Sequence, residues 1–197
     1  MIPVRPSFRR RRNAALAAFI VVGLSVVVGL TTARSVLLPR TDSPKHVDAI
    51  IVVAGAQDDR YEYARHLAQA GVADRILVSR PVRLSGSFAT LVDSYCGSAP
   101  FVGRDGRRID VQCYRPDIDT TEGETTAANR IASKLGYESV LVVTYWGHVS
   151  RVRIYFEQCF EGAVFVTDTP RPLPNSRKSA LIHETGGYFK ALLSPAC

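Results

Sequence analysis

Residues 1–34 contain no acidic side chain, and residues 14–33 contain no charge of either sign. A run of twenty uncharged residues, made between Leu16 and Leu30 almost wholly of Ala, Val, Leu, Ile, Phe and Gly, rises about 30 Å as a helix and matches the hydrocarbon core of a bilayer. A signal peptide would have a shorter apolar core and a clear small-residue cleavage site. Thr31-Thr32-Ala33 is only a weak match to one, so a retained anchor is favoured.

Other absences exclude familiar chemistries. The chain holds no G-x-G-x-x-G fingerprint, no P-loop, no G-x-S-x-G elbow and no second His after His183-Glu184 to complete a zinc-protease motif. Four cysteines are present, and none forms the close C-x-x-C pair usual in structural zinc sites. The expected metal is therefore none, and no motif names a cofactor. The net charge of +7 invites a nucleic-acid reading, but the anchor region accounts for it. Six of the 25 basic residues lie in residues 1–34, which leaves 19 basic against 18 acidic residues beyond. The remainder is nearly neutral, and a nucleic-acid partner is excluded on that ground.

Charge also sets orientation. Arg5 and Arg9–Arg12 precede the apolar run, while only Arg34 follows it closely. Positive residues resist translocation, so the expected layout is a cytoplasmic basic segment at 1–13, a transmembrane anchor at 14–33, a linker at 34–46 and an extracytoplasmic domain at 47–197. The domain would then sit outside the cell membrane, in an oxidising compartment. An even number of cysteines there points to disulfides. Of the three pairings that four cysteines allow, Cys96 with Cys113 and Cys159 with Cys197 is favoured. The first closes a short Gly- and Pro-rich loop, and the second ties down the last residue. Four reduced, buried thiols are the alternative.

Beyond the linker, apolar β-branched runs alternate with helical spacing. Strands are expected at 48–54, 75–79, 139–144 and 163–167, and helices at 61–70, 125–135, 148–160 and 177–193. Such alternation implies an α/β fold with a mainly parallel sheet and helices on both faces. Residues 80–119, rich in Gly and Pro, read as a long irregular insertion braced by the first disulfide, with short strands near 101–102 and 109–114.

Ligands of open parallel sheets bind beyond the carboxyl ends of the strands. Candidate positions there are Gly55, Gln57 and Arg60 after the first strand, Ser79 after the second, Thr121 and Glu124 before the third helix, and Thr144, His148 and Arg151 after the next strand. His148 and Arg151 share one face at a helix start, where free N–H groups and the dipole favour an anion, most plausibly phosphate. The alternative is a His hydrogen-bonded near a loop and an Arg on a solvated face. Thr121 and Glu124 fit a capping box, and Glu124 could equally serve as acid or base. Arg60 opposes the dipole of the helix it starts, so it should reach a ligand or an acidic neighbour, Asp58 or Asp59. His46 and His66 read as exposed polar residues.

Taken together, the 48–55 segment DAIIVVAG, Arg60, residues 64–71, the 76–79 segment ILVS, the Thr121–Glu124 turn and the 142–151 segment VVTYWGHVSR resemble the ElyC/SanA/YdcF family, in its actinobacterial membrane-anchored branch. The resemblance covers about residues 47–167 and the final helix with Glu184. It implies a Rossmann-like fold, a membrane anchor and a role in cell-envelope integrity or peptidoglycan precursor metabolism. Its polar signature falls on Gly55, Arg60, Ser79, Thr121, His148 and Arg151. The family's Gly-Gly after the first strand is Ala54-Gly55 here, and its Ser-Gly-Gly after the second is Ser79-Arg80-Pro81. Its Asn-Thr-x-Glu turn reads Thr120-Thr121-Glu122-Gly123, which moves the carboxylate to Glu122 or Glu124. The expected function is binding or processing of a phosphorylated or lipid-linked envelope metabolite, with Glu124 and His148 as the catalytic pair. A non-catalytic ligand-binding or scaffolding module is the alternative, and oligomeric state is left open.

Overall fold

The computed structural model describes residues 8–55, 58–171 and 177–197. A long helix, α1 (Phe8–Leu37), precedes an alternation of strands and helices: β1 (Ala49–Val52), α2 (Arg60–Gln69), β2 (Arg75–Ser79), α3 (Gly86–Cys96), β3 (Phe101–Val102), β4 (Arg108–Tyr114), α4 (Thr121–Lys134), β5 (Ser139–Thr144), α5 (Val149–Cys159), β6 (Ala163–Asp168) and α6 (Arg177–Leu193). A single 3-10 turn, Trp146–His148, joins β5 to α5.

The strands form one six-stranded sheet in the order β3-β4-β2-β1-β5-β6. Neighbours pair in parallel, with Ile50 opposite both Ile76 and Leu141, except that β3 runs antiparallel to β4 at the edge. All four residues of β1 are buried, as expected for a strand covered on both faces. Its alternate side chains serve separate cores. Ile51 packs with Ala128, Val149, Val152 and Phe156 beneath α4 and α5. Ile50 and Val52 pack with Tyr61, Ala64, Ala68 and Val92 beneath α2 and α3. From β1 the chain first adds β2 and β4 on one side, then returns to place β5 and β6 on the other.

Within α1, residues 12–37 make one helix long and apolar enough to cross a membrane, with its apolar window exposed. Large side chains such as Phe19 (76 % exposed) and Leu30 (67 %) project from it. The end of α1 docks on the domain instead of forming a free linker: Val36 is buried, and Ser150 Oγ donates to the Ser35 carbonyl at 2.6 Å.

Residues 80–119 depart from the irregular insertion expected of them. They contain an eleven-residue helix, α3, and β4 is a full member of the sheet, paired with β2 from Arg75–Asp110 to Ser79–Tyr114. Phe88, Val92 and Tyr95, spaced for a helix, pack against the core below α2. The flanking Gly86 and Gly97 bound this helix, which is why the segment looks like loop in the sequence. Both favoured cysteine pairs stand at disulfide distance, with Cα atoms 5.6 Å apart for Cys96–Cys113 and 5.3 Å for Cys159–Cys197. The first joins the end of α3 to β4.

The start of α4 needs a second correction. Thr120, not Thr121, is the N-cap, and its side chain accepts from Gly123 N at 3.1 Å. The cap sits one residue earlier because α4 begins at Thr121, which frees the Thr121 hydroxyl and the Glu124 carboxylate for other partners. Gly123 is required at this bend, since a Cβ there would overlap the Ile118 carbonyl.

Candidate functional site

Reversal of sheet growth between β1 and β5 opens a crevice at the carboxyl ends of those strands, the usual ligand position in such sheets. A cleft of about 640 Å³ occupies it. Gly55 and Arg60 follow β1 into it, Thr121 and Glu124 enter from the start of α4, and Tyr145, His148 and Arg151 enter from the end of β5 and the start of α5. α6 closes the far side with His183, Glu184 and Lys190. Six predicted residues, Gly55, Arg60, Thr121, Glu124, His148 and Arg151, therefore line one cavity. Ser79 and Thr144 are completely buried at the ends of β2 and β5. Gln57 lies outside the described residues.

Arg60 has taken the acidic neighbour. Its side chain is fully buried and grips Asp58 with two bonds, Nε to Oδ1 at 2.7 Å and Nη2 to Oδ2 at 2.9 Å. Nη1 donates to the carbonyls of Val53 and Ala54 at 2.8 and 3.1 Å. Asp59 pairs instead with Arg171 at 2.7 Å. The planar guanidinium thus closes off the end of β1, as a buried charge requires. Any Cβ at position 55 would collide with that plane, so Gly55 is the residue that lets the chain cross it.

Glu124 is 5 % exposed, and one carboxylate oxygen accepts from Ala54 N at 2.7 Å. Burial raises its pKa to about 7, against the opposing pull of Ser79, the Ala54 amide, Arg60 and Arg151. The Ser79 hydroxyl lies near enough to ease the carboxylate's charge, yet it makes no hydrogen bond of ordinary geometry. Tyr114, also beside this carboxyl, donates to the Glu124 backbone carbonyl at 3.2 Å.

His148 is held between two threonines. Thr144 Oγ1 stands 3.1 Å from Nδ1, and Thr121 Oγ1 stands 3.2 Å from Nε2. Burial, reinforced by Arg151, Arg60 and His183, pushes its pKa well below the ordinary value. The ring is therefore a neutral imidazole that donates to one hydroxyl and accepts from the other. Thr121, whose capping role passed to Thr120, instead fixes this ring at the cleft wall.

Arg151 faces Glu184 across 3.1 Å. Glu184 is 2 % exposed and accepts from the Tyr145 hydroxyl on its other oxygen. The Arg151 Nε, also buried, has no hydrogen-bond partner. Lys190 pairs with Glu122 at 3.0 Å. Arg60, Arg151 and Lys190 are thus each paired with an acid, Glu124 and Asp119 accept from backbone amides, and the Arg151 Nε and Glu184 Oε2 are left without hydrogen-bond partners. Tyr145 is a cleft side chain that sequence reasoning did not single out, while Asp58 was offered only as one of two neighbours for Arg60 and Glu184 only as part of the resemblance. The signal for Glu184 was an acid seven residues before the buried Ala191, on the same helical stripe. Trp146 is half-buried and meets the Tyr145 ring edge-on at 6.3 Å, outside the cleft lining. Among the described residues no group of three or more His, Cys, Asp or Glu side chains is placed to hold a metal ion.

No family model, no curated protein and no solved structure matches the chain.

Proposed function

We propose that this chain is a membrane-anchored, extracytoplasmic domain of ElyC/SanA/YdcF type, Rossmann-like in topology, that binds and processes a phosphate-bearing or lipid-linked metabolite of the cell envelope. The observation that carries the reading is Glu124, a buried carboxyl with its pKa near 7, lining a crevice where the sheet changes direction. A carboxyl poised there can give and take a proton at neutral pH, as general acid–base chemistry needs.

The phosphate reading draws on two features of the same crevice. α4 begins at its wall, where the helix start offers N–H groups and the positive end of a dipole, and the 3-10 turn leading into α5 points its own positive end there. Arg151 adds the unpartnered Nε. Since Arg60, Arg151 and Lys190 are already paired with acids, helix ends and a partner exchange at Arg151 would supply the anion contacts. His148, neutral and clamped by two hydroxyls, keeps Thr121 turned toward the ligand and takes part as a hydrogen-bonding group, not as a cation.

The clamped ring also favours the second reading, a binding module that breaks no bond, because it leaves neither imidazole nitrogen free. One experiment separates the two. Full-length protein in detergent is incubated with a polyprenyl diphosphate, and both binding and released phosphate are measured for wild type and Glu124→Gln. Retained binding with turnover lost in the variant supports the acid–base role. Binding without any release in wild type selects the binding module, and absence of binding removes both.

A further inference from the structure

α1 meets the domain at a place with its own chemistry. Thr32 and Val36 are buried there, at 5 % and 1 % exposure. Ser150 Oγ donates to the Ser35 carbonyl at 2.6 Å, and the Tyr188 hydroxyl donates to Ser35 Oγ at 3.4 Å. Beside these contacts, between α1, the start of α5 and α6, lies a second cavity of about 410 Å³, within the ~300–1,000 Å³ of small-molecule sites. Arg34, Arg40 and Arg153 line it, together with the Ser150 and Tyr188 side chains.

The three arginines are not equivalent. Arg153 is a fixed wall, 14 % exposed, bonded to Asp42 at 2.5 Å and to the Arg40 carbonyl at 3.0 Å, with Glu157 3.6 Å away. Arg40 is 82 % exposed and reaches Asp42 only at 3.4 Å. Arg34 is exposed and makes no ion pair among the described residues. Two carboxylates thus face three guanidinium groups, and the two exposed ones have capacity to spare. Guanidinium forks suit the paired oxygens of phosphates and carboxylates.

Position decides whose phosphate this is. The twenty uncharged residues 14–33 fill about 30 Å of hydrocarbon, so Arg34 is the first side chain past the core, at the depth of the lipid phosphates. We propose that this cavity binds the phosphodiester of an anionic lipid headgroup from the outer leaflet and so clamps the domain against the membrane surface. The inference rests on the membrane-anchored reading above. It also adds to it, because α5 carries Ser150 and Arg153 to this cavity and Arg151 to the main cleft. A lipid held here fixes the height of that cleft above the bilayer.

The test uses the full-length chain in vesicles of phosphatidylcholine mixed with phosphatidylglycerol. Sedimentation reports membrane association, and native mass spectrometry after mild detergent extraction reports the lipid retained. Wild type should retain phosphatidylglycerol in excess by roughly tenfold. Arg34→Gln with Arg40→Gln should lose that excess while still sedimenting, and Arg34→Lys with Arg40→Lys should keep part of it. Arg108→Gln with Arg130→Gln, exposed on β4 and α4, should leave it unchanged. An excess that survives the first pair, or falls equally with the control pair, overturns the proposal. So does displacement of the lipid by equimolar inorganic phosphate, which would mark a free-anion site. Failure of wild type to sediment would instead sink the anchored reading, together with the inference built on it.

Discussion

Glu124 and His148 line one cleft, and burial moves them in opposite directions. Glu124 ionises near pH 7 in the fold against an ordinary value of 4.5. Between those two pH values the folded state keeps a proton that the unfolded chain has lost, so stability falls as pH rises, by up to about 3 kcal/mol. His148 is held below its ordinary 6.5, so the stability it contributes is present above that pH and is lost as pH falls below it. Urea midpoints of the full chain in detergent, taken from pH 4 to pH 8, resolve the two. Glu124→Gln should flatten the decline between about pH 4.5 and 7, and His148→Gln should remove the loss on the acid side. An unaltered profile in Glu124→Gln would show that the carboxyl is not buried as described. The neighbouring aspartates make a sharper contrast still. Asp58→Ala strands the buried Arg60 guanidinium and should cost about 3–5 kcal/mol, whereas Asp59→Asn, which suits the left-handed backbone at φ 60°, loses only an exposed pair with Arg171 and should cost less than about 1 kcal/mol. Equal midpoint shifts for the two would refute the buried pair.

At the scale of elements, what could be read in the sequence depended on how local the cause was. β2 and β5 are legible to the residue because a strand buried on both faces is a continuous apolar run with polar ends. The Arg60–Asp58 pair was within reach for the same reason, since its partners are two residues apart. α3 was not legible: its apolar spacing is short and is framed by glycines that read as loop. Nor were the contacts that complete the cleft. Thr121 and His148 are 27 residues apart, and Tyr145 and Glu184 are 39 apart, so only the sheet crossovers bring them together. α3 matters to that cleft because Phe88 lines it, and the Cys96–Cys113 link, across 17 residues, ties the helix to β4. Replacing both cysteines by serine should cost about 3 kcal/mol, chiefly by loosening the unfolded chain. It should also weaken ligand binding at the cleft through Phe88. A double variant with the wild-type urea midpoint under oxidising conditions would show that the link does not form or does not brace the domain.

At the scale of the whole molecule, charge, apolar length and cysteine placement all bear on one choice, the side of the membrane on which the domain lies. Five arginines precede residue 14 and only Arg34 follows residue 33 closely, a bias that favours an N-terminus retained inside. All four cysteines fall beyond α1, and both pairs stand at bonding distance, which fits an oxidising compartment. The docked end of α1 adds only that the domain packs directly against the helix that carries it. Changing Arg9–Arg12 to glutamate should reverse the orientation while leaving the domain's own residues untouched. In wild-type cells, denatured protein should then take up maleimide only after reduction, and in the reversed variant all four cysteines should react without it. Free thiols in the wild-type protein would place the domain in the reducing interior, where neither the disulfides nor an envelope ligand belongs.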